Sequence, residues 1–148
     1  MADKWNPSVF NKNINCVAVG RLSAEMVNFL VQKRPSLSGI LNPETDILFW
    51  KDRIKHTEKH RDDFMSDSEY LNCLESIPSI IESPDYISLH PKDSSISFIK
   101  DFSDHVAVAV RISVSGALSY RSMYPLTDAQ LADYLRRDRA WAWGKTKS

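Results

Sequence analysis

The stretch from residue 86 to 126 constrains the fold more than any other. Its apolar residues fall into a two-residue period and hold it through four segments: YISLH (86–90), SISFIKDF (95–102), HVAVAVRISV (105–114) and ALSYRSMYPL (117–126). The connections PKDS, SD and SG are two to four residues long. Links this short cannot carry a parallel crossover, so consecutive strands must turn back on one another as an antiparallel meander. Alternation puts Val106, Val108, Val110, Ile112 and Val114 on one face of the third strand, and His105, Ala107, Ala109, Arg111 and Ser113 on the other. The small residues of that second face leave room for a helix or a ligand. The same alternation groups Ser122 and Tyr124 of the fourth strand with Leu118 and Tyr120.

Helical signals dominate before this region and return after it. NCVAVG (15–20) reads as a short strand ending at a glycine. LSAEMVNFLVQKR then places Met26, Val27, Leu30 and Val31 at helical spacing, with Ser23 as N-cap and Arg34-Pro35 as the stop. SLSGILNPETD is turn-rich, and ILFW (47–50) is a buried strand or the entry to a helix. Residues 51–64 lack Gly and Pro and predict one charged helix, with Ile54 and Phe64 toward the core. Residues 66–85 predict two short helices whose stripe is Tyr70, Leu71, Leu74, Ile77, Ile80 and Ile81, closed by a turn at Ser83-Pro84-Asp85. Beyond the strands, Thr127 and Gln130 form a capping box for a last helix with Leu131, Tyr134 and Leu135 on its apolar side. This order predicts a single α+β domain over residues 1–148, with N-terminal helices packed on a four-stranded antiparallel sheet and a C-terminal helix. Residues 1–14 and 144–148 are expected to be flexible ends.

Charge narrows the function classes. Lys plus Arg total 19 and Asp plus Glu total 19, which counts against a general duplex-DNA binder but leaves a local basic cleft open. Cys16 and Cys73 lie far apart and outside any CxxC, as expected of reduced thiols in a cytoplasmic protein. MADKWNPSVFNKN has no apolar core and no apolar run approaches a membrane span, so neither a signal peptide nor a membrane partner is expected.

The candidate chemistry sits in RIKHTEKHRDDF (53–64), where His56 and His60 would share one helix face. Three readings compete. A zinc-protease motif needs Glu directly after the first His; here Glu58 lies about 200° round the helix from His56 and points away from any metal held there. A charged, solvated helix would pair Glu58 with Lys55 or Arg61 and use neither histidine. The third reading is acid/base chemistry without metal or cofactor, in which one imidazole accepts a proton and the other donates one. Cleavage of RNA by its own 2′-hydroxyl needs such a pair, with Lys100, Arg111, Arg121, Ser122, Tyr120 and Tyr124 of the sheet available to steady the phosphate. In the tail, Arg136, Arg137, Arg139 and Lys145 interleave with Trp141 and Trp143, a pattern that suits stacking on single-stranded RNA or anchoring of the last helix. Spacing alone leaves these alternatives open.

The order of the motifs adds a resemblance. VAVGRLSAEMVNFL, ILFWKDRIKHTEKH, LESIPSIIESPDYI and a strand ending in YRSMYPLT resemble the phage-associated nucleases of the barnase, EndoU, colicin and RelE-like (BECR) superfamily. The resemblance covers roughly 17–135. It implies a metal-independent endoribonuclease, a toxin-like effector acting on RNA such as tRNA or mRNA and restrained by a protein inhibitor or antitoxin. Carried over, His56 and His60 match the helix histidines, Asp85 the acidic position after the proline, and Ser122, with Tyr124 and Pro125 beside it, the Ser/Thr of the last strand. KHTEKH departs from the pattern by placing Thr57 where an aliphatic residue commonly follows the first His. A non-catalytic module binding a phage or host factor, and a metal-dependent hydrolase using the HxxxH pair, are the alternatives.

Overall fold

A computed structural model describes residues 5–43, 45–92 and 94–143. The expected meander forms, with β3 (Tyr86–Leu89), β4 (Ser95–Asp101), β5 (His105–Ile112) and β6 (Leu118–Leu126) antiparallel and in sequence order. The sheet is wider than expected. β1 (Cys16–Arg21) and β2 (Asp46–Trp50), separated in the chain by α1, form an antiparallel pair that joins β6 through β2, while β7 (Ala140–Ala142) joins β3 at the far edge. The result is a seven-stranded mixed sheet, order β1-β2-β6-β5-β4-β3-β7, in which β2 and β6 are the parallel pair. The four-stranded reading fails because ILFW and AWA are too short to show a period; neighbours across the sheet make them strands.

Helices cover both faces. α1 (Ala24–Lys33), α3 (Asp67–Glu75) and α4 (Ile77–Glu82) supply Met26, Leu30, Tyr70, Leu74, Ile77, Ile80 and Ile81 to a core floored by Val106, Val108 and Val110. Ser23 caps α1, its Oγ accepting from the Met26 amide, and α1 ends before Pro35 as read from sequence. The predicted stripe of α3 is off by one position: Leu71 is exposed and Cys73 is buried in its place. Burial pushes the Cys73 thiol up to about 12, with the Glu69 charge adding to it. Cys16 and Cys73 are both free thiols. On the opposite face α5 (Asp128–Arg136), with its capping box formed, lays Leu131 over Ile99, Ala107 and Leu126. The small Ala107 thus makes room for a helix. Val114 falls outside β5 and is exposed.

Residues 5–13 are not a loose end. Trp5 and Phe10 are buried, Trp5 Nε1 donates to the Leu74 carbonyl at 2.7 Å, and both rings pack on Phe49. Residues 1–4 and 144–148, including Lys145, lie outside the described residues. Trp141 and Trp143 pack edge-on against Phe29 of α1, at 5.7 and 5.3 Å between ring centroids, so this pair anchors β7 to the core. Gly20 lets β1 approach α4 closely, since a Cβ there would meet Ile81 Cγ2 at 3.0 Å. No helix of the described residues is long and apolar enough to cross a membrane.

Candidate active site

The site exists because β6 is longer than its parallel neighbour. β2 pairs with β6 only at Leu118 and Ser119, and past that point the edge of β6 needs another cover. The chain leaving β2 supplies it as α2 (Arg53–Glu58), which packs along β6. Arg53 donates from Nε and Nη2 to the Arg121 carbonyl, at 3.0 and 2.6 Å, and so satisfies a backbone acceptor at this edge. Thr57, fully buried, sits 2.6 Å from the Tyr120 hydroxyl. An aliphatic residue at Thr57 would leave Tyr120 without this partner, a physical reason for the departure in KHTEKH.

The predicted helix over 51–64 is interrupted. α2 stops at Glu58, and a 3₁₀ turn (Arg61–Asp63) follows. The Thr57 hydroxyl turns back onto the Arg53 carbonyl, a bond that bends helices. Asp62 and Asp63 would also place negative charge at the negative end of the helix. His56 and His60 therefore do not share one regular helix face. They still converge, with ring centroids 5.8 Å apart in an edge-to-face arrangement. Glu58 pairs loosely with Arg61 on the outer surface, 3.6 Å away.

A β-bulge brings the strand residues to the histidines. Ala109 of β5 faces Ser122, yet Val110 faces Tyr120, so Arg121 is the extra residue. The bulge resets the alternation. Leu118, Tyr120 and Met123 face the main core, whereas Tyr124 and Leu126 join the cluster under α5. Ser122 and Tyr124 thus do not share a face with Leu118 and Tyr120, as plain alternation predicts. The Tyr124 ring lies 6.1 Å from the His60 ring, and its hydroxyl bonds to Ser97. Burial pushes the Tyr124 phenol up, the Ser97 bond opposing it, so Tyr124 is a neutral donor at physiological pH.

The electrostatics favour a neutral imidazole at His56. Partial burial lowers its pKa from the ordinary histidine value, and the charges of Arg53, His60, Lys59 and Arg121 lower it further. His60 Nδ1 lies 3.2 Å from Asp63 Oδ2, a contact that leaves its Nε2 for another partner. Beside the pair, Lys92, Arg111 and Arg121 line an open groove of about 610 Å³ with Ser94, Ser95 and Ser113, and among the described residues no acidic side chain lines it. Zero net charge has hidden this local basic surface. Across the sheet, Ser88, Ser97, Ala109 and Ser122 stand in one transverse register and form a floor of small side chains.

Of the eight residues singled out from sequence, His56, His60, Arg121 and Tyr124 come together, Ser122 lies between the last two, and Arg111 lines the adjoining groove. Lys100 and Asp85 do not join them. Lys100 Nζ donates to the Ser83 carbonyl at the end of α4, and Asp85 Oδ2 accepts from the Asp101 amide while its backbone holds Ile99 and Trp143. Sequence reasoning passed over Arg53 and Lys92. Arg53 opens the histidine helix, but only the chain path of β6 shows what it holds. His105 is also elsewhere, between Asp101 Oδ1 (2.5 Å from Nδ1) and Asp128 Oδ1 (2.6 Å from Nε2). Among the described residues no three His, Cys, Asp or Glu side chains are grouped to hold a metal.

A family model described as phage-Barnase-EndoU-ColicinE5/D-RelE like nuclease 3 matches residues 26–133, and the chain belongs to this family of BECR nucleases. No curated protein and no solved structure matches the chain significantly.

Proposed function

We propose that this nuclease is a metal-independent endoribonuclease that cleaves RNA by transphosphorylation. The observation that carries the reading is the convergence of His56 and His60 beside Arg121 and the Tyr124 ring. His56, kept neutral by burial and by neighbouring cations, takes the proton of the ribose 2′-hydroxyl. The 2′-oxygen bonds to phosphorus, and the bond from phosphorus to the 5′-oxygen breaks. His60, held through Nδ1 by Asp63, gives the leaving oxygen its proton. The products are a 2′,3′-cyclic phosphate and a free 5′-hydroxyl. Arg121, with Ser122 and Tyr124, steadies the charge on the phosphorane, and Arg111 and Lys92 attract the flanking phosphates. In the cell the protein acts as a toxin-like effector in the cytoplasm, held in check by a protein inhibitor. The test is RNA cleavage with EDTA present. Parent protein should cut and leave cyclic phosphate ends, while His56→Ala and His60→Ala should each lose activity. If both variants cut like the parent, the assignment is wrong.

A further inference from the structure

At the end of β2 the chain leaves the sheet through Trp50 and enters α2, and a groove of about 750 Å³ opens at this corner. Its lining includes Phe10, Trp50, Lys51, Ile54 and Lys55. Trp50 is 44% exposed, while every other aromatic ring of the described residues is buried or half-buried. A lone exposed ring is ordinary on a protein surface; the place of this one is not. Ile47 and Phe49 are buried in the main core, so alternation turns Leu48 and Trp50 to the opposite face of the sheet. On that face Leu48 pairs with Ser119, Ser119 with Arg111 and Arg111 with Ser95, a row that runs from β2 to the wall of the basic groove. Arg53, just past the corner, reaches the Arg121 carbonyl. α2 joins the two regions, because Ile54 and Lys55 line the corner groove and the next residue is His56.

We infer that Trp50 is a stacking platform for one base of single-stranded RNA, in a nucleotide that flanks the one held at the histidines. The inference rests on the nuclease reading and adds a substrate class to it. An indole face accepts any base, since every base has a π-face, and this mode of binding belongs to unpaired strands. A base inside a duplex is stacked on its neighbours; only a splayed-out base reaches an aromatic side chain. Lys51 and Lys55, both exposed, line the same groove as the ring and attract the phosphates of such a strand, while Asp52 on the same lining offsets one of the two charges. Positive balance and continuity with the histidine helix favour RNA over a protein partner at this corner. The stacking role that the tail suggested for Trp141 and Trp143 thus passes to Trp50, because those two rings are committed to Phe29.

The test is binding of a 2′-O-methyl dodecanucleotide, which lacks the attacking hydroxyl, as a single strand and annealed to its complement, with unmodified RNA cut in parallel. Trp50→Ala should weaken single-strand binding by about 5- to 150-fold, the worth of one base on an aromatic ring, and leave duplex binding unchanged. Trp50→Phe, which keeps a ring, should recover most of the loss. Replacing the bases of the strand one at a time with an abasic sugar should find a position at which the parent loses affinity and Trp50→Ala does not. Equal weakening of strand and duplex, or no weakening, overturns the platform; if Trp50→Ala instead changes the sedimentation of the protein alone, the corner is a contact between copies. Cleavage by the parent with no effect of Trp50 on binding leaves the nuclease reading standing and removes this one; single-strand binding that depends on Trp50, without cleavage, does the reverse.

Discussion

The hydroxyl of Tyr120 donates to Thr57 Oγ1 at 2.6 Å, because the Thr57 hydroxyl is itself committed to the Arg53 carbonyl at 2.9 Å. This chain of two bonds ties the histidine helix to the core face of β6, and Phe49 stacks on Tyr120 at 4.0 Å to hold the ring. Thr57→Val removes a buried partner from both sides and should cost about 1–3 kcal/mol of stability, whereas Tyr120→Phe, which leaves Thr57 bonded, should cost about 0.5–1.5 kcal/mol. Urea unfolding of the two variants checks the order. Equal losses would mean that the hydroxyl pair does not set the position of α2.

The histidine pair predicts a pH signature. His56 titrates below the ordinary value of about 6.5, so the acidic limb of kcat/KM should lie below that pH. His56→Ala should lower kcat/KM by about 10²- to 10⁴-fold and remove that limb. A limb that persists in His56→Ala would transfer the base to another group.

The groove makes a prediction in salt. Lys92, Arg111 and Arg121 face the same space, and each phosphate they neutralise releases a counterion. Arg111→Ala and Lys92→Ala should each weaken RNA binding uniformly across sequences and reduce the slope of log affinity against log salt by about 0.7. The readout is binding measured at several salt concentrations. An unchanged slope would place the RNA elsewhere.

His105 predicts a different pH effect, on stability. Burial works against its charge, but the hydrogen bonds and charges of Asp101 and Asp128 outweigh burial and hold its pKa above the ordinary value. A histidine raised on folding stabilises the protein fully below its unfolded pKa of about 6.5, and the contribution fades as pH rises through the folded value. The melting temperature of His105→Gln should therefore fall short of the parent by more at about pH 6 than at about pH 9. A gap that grows with pH would contradict the arrangement.

Much of this protein is written locally. The meander of β3 to β6 follows from a two-residue period joined by links too short for anything else, and the caps at Ser23 and Thr127 follow from side chains that reach amides three residues on. His56, His60 and Tyr124 were legible as candidates from their chemistry and order. What the chain could not show was anything set by a distant neighbour. β2 and β7 are strands because partners remote in sequence complete their ladders, and Lys100 and Asp85 serve backbone groups that folding brings to them. The decisive case is Arg121. Alternation along β6 is a local rule, but a bulge is a mismatch between two strands, visible only in their pairing. That one extra residue turns Ser122 and Tyr124 out of the core face and leaves the Tyr124 ring beside His60, which the helix-breaking aspartates and Thr57 have already brought to the strand's open edge.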